Sequence, residues 1–537
     1  MTVQAPDSVT VHRTQVDGVP VMWTDLAVDP TVTLFFGVGH KDMAPWTVGI
    51  THLVEHLVMR RVGHVSIPNN AESGMVTTNF YATGTPARLA DFVRRVCDAV
   101  TWLREVTDDD LELERRTILA EVGMSSVYAS HGDPFAARYG LAGVGLGAVS
   151  HTRLLDWAAE EVRAVAAQWF HAGNALLSST APLPEGLVLP LPAGPAPRRT
   201  LHPAPLWPGR TWQVGRDQAL LLSGSVDGDL DRSLSALAMS VLDDVLHHEL
   251  RTALGQVYSV DGVGYQVDPY SSVVASALDP ERSVAADATR ATLRVIERLA
   301  LEGPTVDELD RTRGTLLESL ALGAGRAGWF DSIASWSVRG IDVPTFDQET
   351  ATIRDARPED LRPALAAYAR SLLVSIPCTL AGDTDLIDHL TSQWGAQYAD
   401  LTADPQGRTG KDFSKALLND AGGSGPLRLL KASDRMFSGK RFSAARGVDV
   451  WLLPDRLVVA GGGQVDTVVL DDIVLVGTDE DGDVELVTQR GAAMLLNPSL
   501  FKGLRDPFAA MVRHLPRAVV YDKQRVKVRP VDGAAPD

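Results

Sequence analysis

A chain of 537 residues is too long for one ordinary domain, and its 45% hydrophobic and 22% charged content is typical of a globular protein. The formal net charge of −18 argues against general affinity for nucleic acid or for anionic membranes. Only Cys97 and Cys378 are present, which excludes a disulfide framework and favours a reducing compartment. The N-terminus lacks a basic start followed by an apolar core, and no apolar run approaches the roughly 20 residues of a membrane span. We therefore expect a cytoplasmic protein without a membrane span.

The first part of the chain alternates predicted strands and helices. A hairpin is expected around Asp17-Gly18, followed by a buried strand over 31–38. The helical and β-rich patterns after it lie at 46–62 (helix), 69–82 (β-rich), 86–104 (helix), 107–127 (helix), 158–170 (helix) and 174–179 (strand). The glycine-rich piece 143–147 has no dinucleotide-binding context, so we expect a flexible loop there.

The first of these helices carries two histidines four residues apart, in the string His52-Leu53-Val54-Glu55-His56. This spacing places both imidazoles on one face of the helix. Neutral imidazoles bind zinc, and a nearby carboxylate can take a proton from a water that zinc activates. The order H-x-x-E-H is the inverzincin signature. The competing interpretation is an ordinary helix with two solvated histidines and a salt-bridging glutamate.

A catalytic zinc site needs a third protein ligand, and the helix that begins near Thr107 offers two carboxylates. Glu114 and Glu121 are seven residues apart and therefore share a helix face. One can bind the metal while the other accepts a hydrogen bond from a liganding histidine. The alternative is that both form surface ion pairs with neighbours such as Arg115 and Arg116.

Prolines recur from Pro182 to Pro208, which predicts an extended linker over 182–210. Beyond it the pattern begins again, with a strand at 219–224 and a long helix at 231–252. Residues 305–319 then echo residues 107–121. The chain therefore contains two related α+β halves.

The second half has lost the metal-binding pattern. Aligning Leu309 with Leu111 sets Thr312 opposite Glu114 and Ser319 opposite Glu121. The helix at 231–252 contains no H-x-x-E-H, and its adjacent His247 and His248 are expected to be structural or surface residues. This asymmetry is what one active copy and one substrate-holding copy would produce.

The composition changes again from about residue 401. A second linker is predicted over 401–436, around Gly422-Gly423-Ser424-Gly425-Pro426. A domain is predicted over 437–522, with short strands at 448–453, 456–460, 465–470, 473–476, 484–488 and 493–496 and a helix around 499–514. Antiparallel strands capped by one helix resemble a small β-barrel-like domain of the pleckstrin-homology or GRAM type. The acidic run 479–483 is expected to be a solvated turn, and 523–537 a tail.

Together these motifs resemble the insulinase/pitrilysin family of zinc peptidases, in its form with one domain pair per chain, over most of residues 10–400. The resemblance implies two homologous α/β-sandwich domains of the insulinase and mitochondrial-processing-peptidase type, over 1–181 and 211–400. It implies that His52, His56 and Glu121 bind Zn²⁺ and that Glu55 is the general base. Glu114 would be the carboxylate that hydrogen-bonds a liganding histidine.

Two further strings are similar to family motifs. Asn70-Ala71 resembles the edge strand that binds substrate backbone by β-addition. The stretch from Leu250 to Ser259 is similar to the family string L-R-x-x-x-G-x-x-Y-S, which implies that Arg251 and Tyr258 grip the substrate and stabilise the tetrahedral intermediate. The sequence departs from the family in the short spacing between His56 and Glu121 and in its C-terminal β domain.

The resemblance implies a zinc-dependent endopeptidase that cleaves unstructured peptides, in peptide processing, leader removal or general turnover. Because one domain pair needs a second to enclose a substrate, we expect a homodimer, with a heterodimer with a paralogous chain as the alternative. The competing function is a catalytically silent or partner-dependent subunit that serves as scaffold or substrate binder. Inactive family members usually lose the zinc motif or the Arg/Tyr pair, and this chain keeps both.

Overall fold

The computed structural model describes residues 8–122, 129–148, 153–215, 218–228, 230–399, 436–440, 444–461, 464–478, 482–515 and 519–522. The tail at 523–537, nearly all of the linker predicted at 401–436 and most of the acidic turn at 479–483 lie outside these residues. No helix in the described residues is long and apolar enough to cross a membrane. The cytoplasmic location and the domain boundaries stay predictions.

The first half of the chain forms one six-stranded sheet in the order β1-β2-β6-β3-β5-β4. Its strands are β1 (His12–Val16), β2 (Val19–Trp23), β3 (Thr31–Phe36), β4 (Asn69–Ser73), β5 (Thr78–Thr83) and β6 (Ala175–Ser179). Its helices are α1 (Ile50–Val62), α2 (Pro86–Trp102), α3 (Asp108–Val122), α4 (Ala129–Tyr139) and α5 (Ala159–Trp169). Helix α1 buries an apolar stripe that includes Leu53 and Leu57, in the same core as Leu111 and Ile118 of α3.

The second half forms another six-stranded sheet, in the order β12-β7-β11-β8-β10-β9. Its strands are β7 (Thr211–Val214), β8 (Leu220–Asp227), β9 (Val257–Asp268), β10 (Ser271–Pro280), β11 (Leu373–Ile376) and β12 (Gln397–Tyr398). Its helices are α6 (Arg232–Leu246), α7 (Ala285–Glu302), α8 (Val306–Ala321), α9 (Gly323–Val338), α10 (Phe346–Asp355), α11 (Pro358–Ser371) and α12 (Thr384–Asp388). A π-helical turn, His247–Ala253, follows α6 directly.

The two sheets confirm the duplication predicted from the sequence. Each places three antiparallel strands at the corresponding edge, β3-β5-β4 in one and β8-β10-β9 in the other. Each also contains a corresponding parallel pair, β2 with β6 and β7 with β11, and the second sheet adds the short strand β12, which pairs in parallel with β7. The predicted fold class, α+β with two homologous domains, is therefore confirmed.

Each half also contributes a helix to the sheet of the other half. Helix α4 packs on β8, β10 and β11, and α9 packs on β3 and β6. Phe35 of β3 and Phe330 of α9 are both buried in the resulting apolar cluster. On the other side, the buried guanidinium of Arg138 in α4 donates to the Oγ of Ser225 at 3.0 Å and to the carbonyl oxygen of Ser371. The two halves are therefore held together by this exchange of helices.

The proline-rich segment 182–210, all of which the structure describes, contains no helix or strand. It is also attached to both halves. The backbone amide of Leu189 donates to Asp17 at 2.8 Å, and Arg199 donates to the carbonyl oxygens of Gly37 and Val338 at 2.7 and 3.0 Å. The segment thus fastens the halves together as well as connecting them.

The glycine-rich piece expected to be a flexible loop is instead a buried short helix, Gly143–Ala148. Val144 and Leu146 are almost completely buried and supply apolar contacts. A Cβ at Gly145 would collide with the carbonyl oxygen of Gly140. The glycine there serves close backbone packing, which composition alone did not distinguish from flexibility.

The C-terminal β domain consists of two four-stranded sheets on one apolar core, closed by the helix Arg505–Arg513. The strands are β13 (Met436–Ser438), β14 (Val448–Leu452), β15 (Arg456–Gly461), β16 (Gln464–Val469), β17 (Ile473–Thr478), β18 (Val484–Thr488), β19 (Ala493–Leu496) and β20 (Val519–Asp522). Strand β20, which follows the helix and pairs in parallel with β17, was not predicted. The likeness to pleckstrin-homology or GRAM domains stays a prediction.

Candidate metal centre

The packing of α1 against α3 brings together three of the residues predicted to bind metal. The Nε2 atoms of His52 and His56 are 3.1 Å apart. The Oε2 atom of Glu121 lies 3.6 Å from the Nε2 of His52 and 3.3 Å from the Nε2 of His56. All three donor atoms lie within 4.8 Å of one another, so these residues could hold one metal ion.

Glu114 lies behind this group, next to His56. Its Oε2 is 3.2 Å from the Nδ1 of His56, on the side of the ring away from Glu121. Its side chain is 8% exposed, whereas that of Glu121 is 56% exposed. A carboxylate that binds the second ring nitrogen fixes the orientation and tautomer of a liganding histidine.

Arg60 is a site residue that was missed from the sequence. Its Nε lies 3.7 Å from the other oxygen of Glu114, and its Nη1 donates to the carbonyl oxygen of Asp110 at 3.1 Å. The guanidinium therefore partners the buried Glu114 carboxylate and holds α1 to the start of α3. The signal was available in the spacing, because Arg60 follows His56 by four residues and lies on the same helix face.

Glu55 adjoins the metal-binding group, with its Oε2 3.8 Å from the Nε2 of His52. Burial raises the pKa of Glu55 to about 7, and the charges of Glu121 and Glu72 act in the same direction. Burial together with the positive charge of His56 lowers the pKa of His52 to about 4. A carboxyl group with a pKa near neutrality is suited to accept and return a proton.

The pKa of His56 is shifted in the opposite direction to that of His52. Burial lowers its pKa, but the hydrogen bond with Glu114 and the charges of Glu55, Glu114 and Glu121 raise it more, so the net pKa lies above its ordinary value. The site thus concentrates negative charge around two imidazoles. A divalent cation would be attracted by these carboxylates and would replace the proton on the imidazole.

An open pocket of about 420 Å³ surrounds the group and extends to the edge strand β4. Its lining consists of His52, Glu55, His56, Met59, Arg60, Asn70, Ala71, Glu114 and Glu121. The Oγ of Ser73 in β4 donates to the Oγ1 of Thr51 in α1 at 2.8 Å, which joins the edge strand to the helix. Asn70 and Ala71 therefore lie beside the two histidines.

Arg251 and Tyr258 form a pair of their own in the second half. The guanidinium carbon of Arg251 lies 5.7 Å from the centre of the Tyr258 ring, and its Nη1 is 3.1 Å from the Nε2 of His247. Tyr258 is 76% exposed. Neither residue is among those that line the pocket, so the structure joins these two predicted site residues to each other and not to the metal-binding group.

No protein-family model matches this sequence, and no curated protein matches it either. Solved structures do match. A putative M16-like peptidase from Alicyclobacillus acidocaldarius superposes with a TM-score of 0.55 at 18% identity, over 70% of this chain and 100% of that one. This chain has the insulinase (M16) fold.

The M16 fold is shared by proteins of different kinds. An inactive M16 peptidase domain from Pseudomonas fluorescens matches with a TM-score of 0.56 at 14% identity, over 68% of this chain and 97% of that one. A chain of complex III2 from Candida albicans matches with a TM-score of 0.58 at 12% identity, over 71% and 99%. At these identities the likeness describes the fold, and the chemistry has to be argued from the residues.

The raised pKa of Glu55 predicts a pH-dependent penalty on stability in the metal-free protein. Since the folded pKa of about 7 exceeds the ordinary 4.5, the stabilising contribution of this carboxyl is complete below pH 4.5 and is lost as pH rises through 7. Glu55→Gln should therefore stabilise the metal-free protein more at pH 8 than at pH 5, by about 2–3 kcal/mol. Urea unfolding in the presence of a chelator measures the difference.

Glu112→Gln is the matched control for this comparison. It makes the same chemical change on an exposed residue of α3 whose carboxylate pairs with Arg116 at 2.8 Å. If Glu55→Gln raises the free energy of unfolding equally at both pH values, or more at pH 5, the result would contradict the burial of an ionised Glu55 carboxylate.

Proposed function

We propose that this protein is a zinc-dependent endopeptidase that cleaves unstructured peptides. The observation that supports this most directly is the group formed by His52, His56 and Glu121, with Glu55 beside it and an M16 fold around it. The donor atoms are two imidazole nitrogens and one carboxylate oxygen. This is the ligand type found in catalytic zinc sites, where three protein ligands leave a fourth position for substrate or water.

The spacing of the donors suits tetrahedral zinc. Zinc–nitrogen and zinc–oxygen bonds of about 2.0–2.2 Å imply donor atoms roughly 3.4 Å apart at a tetrahedral centre. The three separations here are 3.1, 3.3 and 3.6 Å. His56 also has its Nδ1 next to Glu114, an arrangement typical of zinc-liganding histidines.

The edge strand supplies a means of holding an extended peptide. Strand β4 is the outermost strand of its sheet and carries Asn70 and Ala71 at the pocket. A peptide that paired with its outer edge would place a backbone carbonyl next to the two histidines. An unstructured peptide has a whole backbone free to pair with this edge, whereas most strands of a folded protein are already paired, which favours unstructured substrates.

Bound zinc would polarise the peptide carbonyl and make a water molecule more acidic. Glu55 would accept the proton from the attacking water and deliver it to the leaving nitrogen, a role suited to a carboxyl with a pKa near 7. Glu114 would hold the ring of His56, and Arg60 would hold Glu114. Arg251 and Tyr258 would donate hydrogen bonds to the oxyanion.

Completion of the site is proposed to need a second copy of the chain. Arg251 and Tyr258 do not line the pocket that contains the metal-binding group. A homodimer in which each copy offers its Arg/Tyr pair to the other copy's metal centre would bring them together and would enclose the peptide. A paralogous chain that supplies the pair is the alternative.

Glu55→Gln should abolish proton transfer while leaving the metal ligands intact. We expect kcat on unstructured peptides to fall about 10²–10⁴-fold, with zinc content unchanged at about one per chain. Peptide cleavage followed by mass spectrometry, together with metal analysis, tests this, and Glu112→Gln serves as the control. Cleavage by Glu55→Gln at close to the wild-type rate would contradict the mechanism. A wild type that binds zinc but cleaves nothing would favour the silent or partner-dependent subunit.

The two carboxylates on α3 are expected to differ in their effect on zinc binding. Glu114→Gln should weaken zinc about 10–100-fold, as the loss of a group behind a ligand does. Glu121→Gln should weaken it more, because a ligand is lost. Competition titration against a chromophoric chelator measures both dissociation constants. If Glu114→Gln proves the more damaging change, Glu114 and not Glu121 is the third ligand.

A mixing experiment tests whether two copies share their sites. Glu55→Gln and Arg251→Ala should each be inactive alone. In a mixed dimer, one site combines an intact Glu55 with the other copy's intact Arg251, so random pairing should restore about a quarter of wild-type activity. Sedimentation should show a dimer in all samples. If mixing restores nothing although dimers exchange, Arg251 acts within its own chain. If Arg251→Ala is active alone, Arg251 has no role in the reaction.

A further inference from the structure

The C-terminal β domain shares a buried apolar cluster with the segment that leads into α1. We call it the brace cluster. Its members are Met43, Trp46, Val48, Leu141 and Leu146 from the first half and Val474, Leu475, Val487 and Val519 from the C-terminal domain. The five members Val48, Leu141, Leu146, Val474 and Leu475 are each at most 3% exposed, and the other four are partly buried, so the centre of the contact excludes water.

A bulge in β17 increases the apolar surface presented to the first half. The pairing with β18 shifts by one residue between Ile473 and Leu475, and both Val474 and Leu475 lie in the brace cluster. Val476 and its partner Leu486 belong to the domain's own core instead. The extra residue thus turns a second side chain towards the first half without removing one from the core.

Backbone contacts fix the position of the domain on this surface. The amide of Leu141 donates to the carbonyl oxygen of Gln489 at 2.7 Å, and the Nε2 of Gln489 donates to the carbonyl oxygen of Leu141 at 2.9 Å. Gly140 has φ of +63°, and a Cβ there would collide with the Gln489 carbonyl. Reciprocal hydrogen bonds and an approach that only glycine permits indicate a specific docking geometry.

The segment held by the brace cluster ends at the metal-binding helix. Val48 is followed by Gly49, at φ of +90°, and by Ile50, the first residue of α1, so that His52 lies in the first helical turn. From the first half, the carbonyl of Trp46 accepts hydrogen bonds from Trp157 at 3.2 Å and Arg153 at 3.3 Å. The segment is therefore held between its own domain and the C-terminal domain.

We infer that the C-terminal β domain is a brace that positions the N-terminal turn of α1 and, through it, the ring of His52. Val474, Leu475 and Val487 are positioning residues, because they touch neither the metal-binding atoms nor the pocket. The metal-affinity part of this inference rests on the proposed function, whereas the ordering of the helix does not. A domain built only to recruit a partner would need no bulge directed at this segment.

The test compares two equal truncations in neighbouring strands of the full-length chain. Leu475→Ala removes a completely buried leucine of the brace cluster, and Leu486→Ala removes a completely buried leucine of the domain's own core. We expect Leu475→Ala to accelerate hydrogen exchange of amides in residues 49–56 about tenfold and to raise the zinc dissociation constant about tenfold. Leu486→Ala should change neither. Leu475→Met, which keeps an apolar side chain of similar volume, should leave the exchange rate and the zinc dissociation constant at their wild-type values.

Circular dichroism and thermal unfolding establish that each variant is folded, and Val487→Ala replaces Leu475→Ala if the latter is not. Equal acceleration in both truncations, or none in Leu475→Ala, would overturn the brace. Faster exchange with an unchanged zinc dissociation constant would overturn its link to the metal centre. If the wild type binds no zinc, the proposed function fails, and the exchange measurement still decides whether the brace exists.

Discussion

The contact between His56 and the buried carboxylate of Glu114 is the interaction on which the site depends. A carboxylate buried to this extent is costly unless it is paired, and His56 and Arg60 of α1 supply the partners. When Nδ1 donates to Glu114, the lone pair of Nε2 faces Glu121 and the pocket. One contact between two helices thus sets the crossing of α1 and α3, the tautomer of a histidine and the direction of its free nitrogen.

The second half of the chain lacks this contact and still packs its corresponding helix in the same way. Leu111 and Leu309 are both completely buried, and Glu114 and Thr312, taken as whole residues with their backbone, are both 6% exposed. The same helix-on-helix packing, of α3 on α1 and of α8 on α6, therefore forms with a threonine in place of the glutamate. The fold does not require an acidic residue at this position. A buried carboxylate, with the desolvation cost that it carries, is present only in the half that contains His52 and His56. This is the pattern expected where a local cost to stability serves a site.

Residue patterns were sufficient to predict much of this arrangement. Helical spacing placed His52 and His56 on one face of their helix and Glu114 and Glu121 on one face of another, and the repeat predicted two related α+β halves. Spacing alone could not decide whether Glu114 or Glu121 is the candidate third metal ligand, because that depends on where α3 crosses α1. The sequence likewise gave no indication that Val48 meets Leu475, more than 400 positions later. Contacts of that range depend on tertiary packing and leave no periodic signal.

The role proposed for Arg251 and Tyr258 depends on shielding them from solvent. In one chain the pair is solvent-exposed, and water screens an exposed guanidinium so that its hydrogen bonds contribute little. The same groups become effective when a second surface excludes water. The group formed by His52, His56 and Glu121 has the complementary need, because its pocket is open to solvent. Under the proposed function, closure by a second domain pair would exclude water from both at once and would make activity depend on assembly.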